Sequence, residues 1–165
     1  MRHLRPASIA LSVLLLAAAP GDPPRREVLM PWEIKPVLEE YRAAMEARSA
    51  DRLARVVDPA LVVVENAGVN AGWADYRDRR LGPELKEVRS FRYAALKIVD
   101  ASVSGDTAHA VLETRVELGL EREAVVLAAV ETFVLRKTGQ GWRIRLIHLS
   151  SKRVQPRGAD AGQPG

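Results

Sequence analysis

The sequence contains no cysteine, and only 5% of its 165 residues are aromatic. The absence of cysteine excludes disulfide bonds, a thiolate nucleophile, cysteine-ligated zinc and lipid attachment to an amino-terminal cysteine. Hydrophobic residues make up 47% of the chain and charged residues 28%. These fractions are close to the average for globular proteins, and they exclude a disordered chain and a multi-spanning membrane protein. The length is sufficient for one domain with a buried core.

Several motifs of enzyme and nucleic-acid sites are also missing. The sequence has no glycine-rich phosphate loop, no Gly-x-Ser-x-Gly nucleophile turn and no pair of residues at metal-ligand spacing. After residue 21 its histidines are His109 and His148. No stripe of basic residues is interleaved with aromatics, as a nucleic-acid interface requires. We therefore expect no cofactor, no metal and no nucleic-acid partner.

The amino terminus has the pattern of a secretory signal peptide. Arg2 and Arg5 precede a segment, residues 7–19, that is apolar except for two serines. This segment is shorter than the ~20 residues of a membrane-spanning helix. Cleavage after Ala19 and cleavage after Gly21 both fit the small residues there, and a retained membrane anchor is the alternative. The pattern predicts a periplasmic or secreted protein with no stable membrane insertion after cleavage.

Composition and hydrophobic spacing predict an α+β fold in one domain. Apolar residues at three-and-four spacing between positions 33 and 47 predict an amphipathic helix. Long alternating segments after residue 90 predict an antiparallel meander, on which the helix is expected to pack. The chain is predicted to divide into a signal peptide at residues 1–21, a linker at 22–31, an α+β domain at 32–153 and a disordered tail at 154–165.

Shorter elements are predicted between the first helix and the meander. A second helix is expected to end at Asp58 and Pro59. A strand over residues 61–65 follows, then a glycine-containing loop and a third helix over residues 73–81, which the next Gly-Pro pair ends. The four meander strands are predicted over residues 91–103, 107–118, 123–137 and 142–152.

The third meander strand is apolar on both faces. One face carries Val125, Leu127, Ala129, Phe133 and Leu135, and the other carries Val126, Ala128, Val130 and Val134. Because the helices can cover one face, a second subunit or a covering segment is expected on the other, and we predict a homodimer through the sheet. In the last strand, alternation places His148 on the same face as Trp142, Ile144 and Leu146.

Five segments carry a resemblance to a known superfamily. They are Tyr41-Arg-Ala-Ala-Met45, Arg48-Ser-Ala-Asp51, Leu61-Val-Val-Val-Glu65-Asn66, Gly72-Trp-Ala-Asp-Tyr-Arg77 and Gly141-Trp-Arg-Ile-Arg-Leu-Ile-His148-Leu-Ser-Ser151. In this order and spacing the chain resembles the nuclear transport factor 2-like superfamily, in particular its SnoaL-like branch, which is named for polyketide cyclases and is close in fold to ketosteroid isomerase. The resemblance implies a cone-shaped α+β barrel, in which a curved antiparallel sheet wraps around the long first helix and leaves a cone-shaped cavity open to solvent.

Three residues are candidates for catalysis in such a cavity. Glu65 ends an apolar strand on its apolar side, so its carboxylate is expected to face a dry interior and is a candidate general base. The alternatives are an ion pair with Arg77 or Arg80 and a solvated strand end. Tyr41 and His148 are candidates for steadying an oxyanion, or else for core packing. The spacing from Tyr41 to Glu65 resembles that between the tyrosine and the base of ketosteroid isomerase, whose second acid has no evident match on the later strands.

Five residues are candidates for ligand contact. Trp73, Tyr76, Arg77 and Arg80 share a helical face that can rim the opening or cap the core, and Trp142 lies on the last strand. Three functions stay open, because one fold can host all of them. They are binding of a small apolar organic molecule, an isomerase, cyclase or dehydratase with Glu65 as proton acceptor, and a structural or assembly module whose cavity is filled by side chains.

Overall fold

The computed structural model describes residues 28–155 of the chain. The predicted signal peptide at residues 1–21 and most of the predicted linker and tail lie outside the described residues. In the part that is described, no helix is both long enough and apolar enough to cross a membrane.

Helices and a short hairpin precede four long strands. The first helix starts close to Pro36, which lies in its first turn, where a missing amide hydrogen is tolerated. The elements are α1 (Lys35–Glu46), α2 (Ala50–Leu53), β1 (Val57–Glu65), β2 (Gly68–Ala71), α3 (Trp73–Tyr76), a π-helical turn (Arg77–Leu81), α4 (Gly82–Glu87), β3 (Ser90–Ser104), β4 (Thr107–Gly119), β5 (Ala124–Thr138) and β6 (Gly141–Val154).

The strands form one curved six-stranded sheet in the order β2-β1-β6-β5-β4-β3. The predicted α+β fold with a curved sheet is therefore confirmed. All neighbouring strands are antiparallel except β1 and β6, which are parallel. The prediction of a wholly antiparallel sheet is wrong at this junction. Most of the domain separates β1 from β6 in sequence, and a connection of that length permits a parallel pair.

The four meander strands are present at the predicted places. Their ends lie within two residues of the predictions made from alternation and turn residues. Gly105 and Gly141 lie at turns between these strands and have positive φ values of 58° and 96°. Residues with a Cβ atom rarely adopt such values, so glycine suits both positions. Hairpin connections therefore account for the order β3 to β6.

One core joins α1 to the face of the sheet that this helix covers, which we call the inner face. The edge of the Tyr41 ring packs on Phe133 of β5, with ring centroids 5.1 Å apart. The largest fully buried side chains of the core are Phe133, Ile34, Leu53, Leu61, Leu112, Leu135, Ile144 and Val63. The first helix thus packs on one face of the sheet, as its apolar spacing predicted.

A β-bulge in β6 exchanges the residues of its second half between the two faces of the sheet, so that predicted inner residues lie on the outer face. Two adjacent residues of β5 pair with Leu146 and Ile144, so Arg145 is an extra residue in β6. The alternation shifts by one after this residue. Ile147 is consequently buried, and His148 is exposed on the outer face. The prediction that His148 shares the inner face with Ile144 is wrong for this reason.

The helix that starts at Trp73 does not stop at the Gly-Pro pair, so that predicted end is also wrong. A π-turn widens the helix, and the amide of Gly82 donates to the carbonyl of Arg77, five residues earlier. A Cβ atom at Gly82 would lie 2.7 Å from that carbonyl oxygen, so only glycine fits this approach. Pro83 then lies in the first turn of α4, where proline is tolerated.

The second helix is shorter than predicted. α2 ends at Leu53, and β1 begins at Val57 and continues through Pro59. The register of β1 against β6 shifts in this region, which leaves room for a residue without an amide hydrogen. Asp58 is buried there, and the amide of Ala60 donates a 2.8 Å hydrogen bond to its Oδ1 atom.

Candidate functional site

A pocket of about 300 Å³ lies between the helices and the inner face of the sheet. Apolar side chains make up most of its wall, and its ionisable groups are carboxylates, tyrosines and one arginine. The lining residues are Tyr41, Met45, Val63, Glu65, Asn66, Tyr76, Arg80, Leu81, Glu84, Leu85, Glu87, Val88, Phe91, Tyr93, Val116, Leu118, Leu120, Leu127, Ala129, Glu131, Ile147, Leu149 and Ser151.

Glu131 lies near the middle of β5 on the inner face and is 4% exposed. The Thr114 hydroxyl on β4 donates a 2.7 Å hydrogen bond to Oε1, and the Tyr93 hydroxyl donates to Oε2 across a longer 3.4 Å. Burial raises the pKa of the Glu131 carboxyl, and the two hydrogen bonds and the charge of Arg42 lower it by less. The raised pKa brings this carboxyl closer to the range in which a general acid or base works at neutral pH.

Glu65, at the end of β1, borders the same pocket and forms an ion pair. The Nε atom of Arg80 lies 2.7 Å from Oε1 of Glu65 and 2.9 Å from Oε1 of Glu84. Glu65 is 8% exposed, whereas 41% of the Arg80 side chain is exposed. The contact with Glu65 is a charge-assisted hydrogen bond, which holds Arg80 at the edge of the pocket.

All three tyrosines of the chain line the pocket. Tyr41 comes from α1, Tyr76 from α3 and Tyr93 from β3. Burial raises the pKa of each hydroxyl, and the negative charge of Glu131 adds to the shift in all three. The phenols are consequently protonated at neutral pH and can donate hydrogen bonds into the pocket.

Four of the eight residues singled out from the sequence line this pocket. They are Glu65, Tyr41, Tyr76 and Arg80. The interpretation of Glu65 as an ion-paired residue matches its contact with Arg80. The catalytic and ligand-binding roles of all four stay predictions.

The other four predicted residues do not line this pocket. Trp73 is buried in the core, and Trp142 packs against it at the start of β6. Arg77 begins the π-turn and is exposed, pairing with Asp78 instead. His148 is on the outer face because of the bulge in β6.

Glu131, which lines the pocket, and its hydrogen-bond donor Thr114 are not among the residues singled out from the sequence. Both interrupt an apolar strand face: Glu131 falls between Ala129 and Phe133 on β5, and Thr114 lies on the apolar face of β4. Carboxylates are rarely fully buried without a partner, so a glutamate at such a position is a signal of function. The alternation pattern contained this signal.

The pocket combines groups that can move a proton on an apolar molecule. Glu131 can accept or return a proton, the phenols can donate hydrogen bonds to a developing oxyanion, and the apolar wall excludes water. Among residues 28–155, no set of three or more His, Asp or Glu side chains is placed to hold a metal ion.

Comparison with known families gives one match that spans most of the chain. The family model described as a SnoaL-like domain matches residues 34–153. No curated protein sequence matches the chain. The resemblance stated from the sequence motifs is confirmed by the family match.

Solved structures share the fold at low sequence identity. A nuclear transport factor 2-like superfamily protein from Salmonella enterica serovar Typhimurium has a TM-score of 0.63 and 18% identity, with 79% of this chain and 95% of that chain covered. A protein from Streptomyces avermitilis, provisionally described as a dehydratase of that family, has a TM-score of 0.64 and 20% identity over 73% of this chain and 94% of its own. Hexachlorocyclohexane dehydrochlorinase LinA-type3 from Novosphingobium barchaimii has a TM-score of 0.60 and 15% identity, with 80% of this chain and 93% of that chain covered. At these identities the similarity establishes the fold alone.

Proposed function

This chain belongs to the SnoaL-like domain family, and from that premise we propose that it binds a small, largely apolar organic molecule in the pocket on the inner face of the sheet. The observation that carries the proposal is the pocket itself, whose volume is about 300 Å³. Small-molecule sites are concave, largely apolar and fitted with a few polar groups that orient the ligand. Glu131 and the three tyrosines are those polar groups here.

A pocket filled by side chains would favour a purely structural module. Trp73 and Trp142, whose side chains are the largest of the predicted site residues, belong to the core or pack against it and do not line the pocket. The open volume therefore supports ligand binding over the structural alternative.

A second candidate function is proton transfer on the bound molecule, as in an isomerase, cyclase or dehydratase. Burial of Glu131 beside the phenol of Tyr93 favours it. The ionised carboxylate would take a proton from a carbon next to a carbonyl, and the electron pair would move to the carbonyl oxygen, to which Tyr41 would donate a hydrogen bond. We assign the base to Glu131 because Arg80 holds Glu65.

Fluorescence of N-phenyl-1-naphthylamine, a neutral apolar dye, tests whether the pocket binds. The native protein is expected to bind the dye saturably with enhanced emission. Leu127→Trp places a large side chain in the pocket and is expected to weaken binding at least tenfold.

Val99→Trp is the matched control, because Val99 is an exposed residue of β3 that does not line the pocket. This variant is expected to bind the dye as the native protein does. Absence of saturable binding to the native protein, or unchanged binding by Leu127→Trp, would contradict the proposal.

We also propose that a second copy of the chain covers the outer face of the sheet. Val130 is exposed on that face of β5, beside a groove of about 540 Å³ that crosses β3 to β6. Ala95, Leu96 and Ala128 also line the groove, so two copies related by a twofold axis can bury apolar surface against each other there. From the amino-terminal pattern we further propose export to the periplasm or the exterior.

Sedimentation velocity tests the dimer. The native protein is expected to sediment at twice the mass of one chain, and Val130→Glu at the mass of one chain, because a carboxylate at the centre of the interface would be buried without a partner. Val69→Glu, at an exposed position of β2, is expected to stay dimeric. A monomeric native protein would refute the proposed interface.

A further inference from the structure

We propose that the ligand of this pocket is a small organic cation, an apolar molecule with one ammonium group that pairs with Glu131. The inference rests on the proposed function, because it assigns a charge class to the ligand of the same pocket. It comes from the balance of charge and aromatic rings in the pocket wall.

Glu131 has no positively charged partner within the part of the chain that the structure describes. None of the ion pairs there includes it. Its hydrogen-bond donors are the neutral hydroxyls of Thr114 and Tyr93. Arg42 influences its charge but does not line the pocket, and the Arg42 guanidinium instead lies 5.1 Å from the centre of the Tyr93 ring. An ionised carboxylate buried in this way is costly unless a positive charge reaches it, and the pocket is the open route.

The other charged side chains of the pocket wall are mostly negative as well. Glu65, Glu84 and Glu87 line the pocket with Glu131, and Arg80 is the lining residue with a positive charge. Its guanidinium is already shared between Glu65 and Glu84. An anionic ligand would therefore meet carboxylates with no free cation to pair with, whereas an ammonium group would be attracted.

Aromatic rings are concentrated around the same space. The chain has eight aromatic residues, and four of them, Tyr41, Tyr76, Phe91 and Tyr93, line the pocket. The faces of aromatic rings attract ammonium groups, and this attraction strengthens where water is excluded. Rings and a buried carboxylate together provide what an apolar ammonium ion requires.

Three probes of the same shape test the charge class. They are 4-phenylbutylamine, 4-phenylbutan-1-ol and 4-phenylbutanoate, each used at pH 7 to displace N-phenyl-1-naphthylamine from the native protein. The amine is expected to bind at least tenfold more tightly than the alcohol, and the carboxylate more weakly than both. Glu131→Gln keeps the shape of the side chain and removes its charge, so it is expected to bind amine and alcohol within about threefold of each other. Glu39→Gln, on an exposed position of α1 and paired with Lys35 outside the pocket, is expected to keep the preference.

Equal or tighter binding of the alcohol by the native protein overturns the inference while leaving the proposed pocket intact. A preference for the amine that persists in Glu131→Gln overturns it as well. If Glu131→Gln also loses the dye, the comparison of amine with alcohol on the native protein, together with Glu39→Gln, still decides. Failure of the dye itself to bind the native protein would refute the pocket function and this inference together.

Discussion

Phe133→Ala is expected to lower the free energy of unfolding by about 3–5 kcal/mol. Phe133 is 1% exposed, is among the largest fully buried side chains and supports the ring of Tyr41. Removing its ring loses apolar burial and leaves a cavity between α1 and β5 that the surrounding strands can fill only in part. Since domains of this size are stable by about 5–15 kcal/mol, the variant should be close to unfolding at room temperature.

Urea denaturation followed by circular dichroism measures this loss at fixed protein concentration. Val69→Ala is the control, because Val69 is an exposed residue of β2 and its truncation should change the free energy of unfolding by less than about 0.5 kcal/mol. A loss of under 1 kcal/mol in Phe133→Ala would mean that α1 is not packed on β5 as described.

Most of the sheet was predictable because long strands leave a clear pattern. Alternation and turn residues located the four meander strands to within two residues. Gly105 and Gly141 fixed turns with positive φ. The parallel junction of β1 with β6 was not predictable in this way, because it joins segments far apart in sequence and depends on how the sheet closes over α1.

Local irregularities account for the site residues that were placed wrongly. One extra residue, Arg145, moved His148 from the inner to the outer face of β6, and alternation alone cannot locate a bulge. The π-turn after Tyr76 changed which residues share a helical face, and it left Arg80 beside Glu65 while Arg77 became exposed. These deviations depend on backbone packing between elements.

Glu131 was missed for a different reason. The apolar residues of β5 outnumber the one carboxylate in its inner row, so alternation alone predicts an apolar strand face there. The pattern showed that both faces of β5 are mostly apolar, and a glutamate in the inner row was therefore the strongest functional signal in the meander. What the pattern could not supply was the partners, Thr114 and Tyr93, which come from two other strands.

Above neutral pH, the free energy of unfolding of Glu131→Gln is expected to exceed that of the native protein. In acid, the two proteins are expected to be about equally stable. Burial raises the pKa of the Glu131 carboxyl above its value in the unfolded chain. The folded state therefore binds the proton of the Glu131 carboxyl more tightly than the unfolded chain does. The stability that comes from this difference is fully present below the pKa of a glutamate in the unfolded chain, which is about 4.3. That stability is lost as the pH rises through the folded pKa, because the ionised carboxylate is then buried without a cation.

Glutamine cannot ionise, and its amide oxygen can still accept a hydrogen bond from Thr114. We expect the free energy of unfolding of Glu131→Gln to exceed that of the native protein by about 1–3 kcal/mol at about pH 8. At about pH 4 the difference should fall toward zero, since the native carboxyl is then protonated. Urea denaturation at several pH values, at one protein concentration, measures both quantities.

Glu39→Gln separates this effect from the general influence of charge. Glu39 is an exposed carboxylate on α1, and it pairs with Lys35. Its replacement removes the same charge without relieving a buried carboxylate, so it should give no gain in stability at alkaline pH. Burial of Glu84 also raises the pKa of that carboxyl, but Glu84 is present in both proteins and cancels in the comparison. A difference between Glu131→Gln and the native protein that does not vary with pH would show that Glu131 is not held in a dry site, and the base and the cation-binding role assigned to it would then both fail.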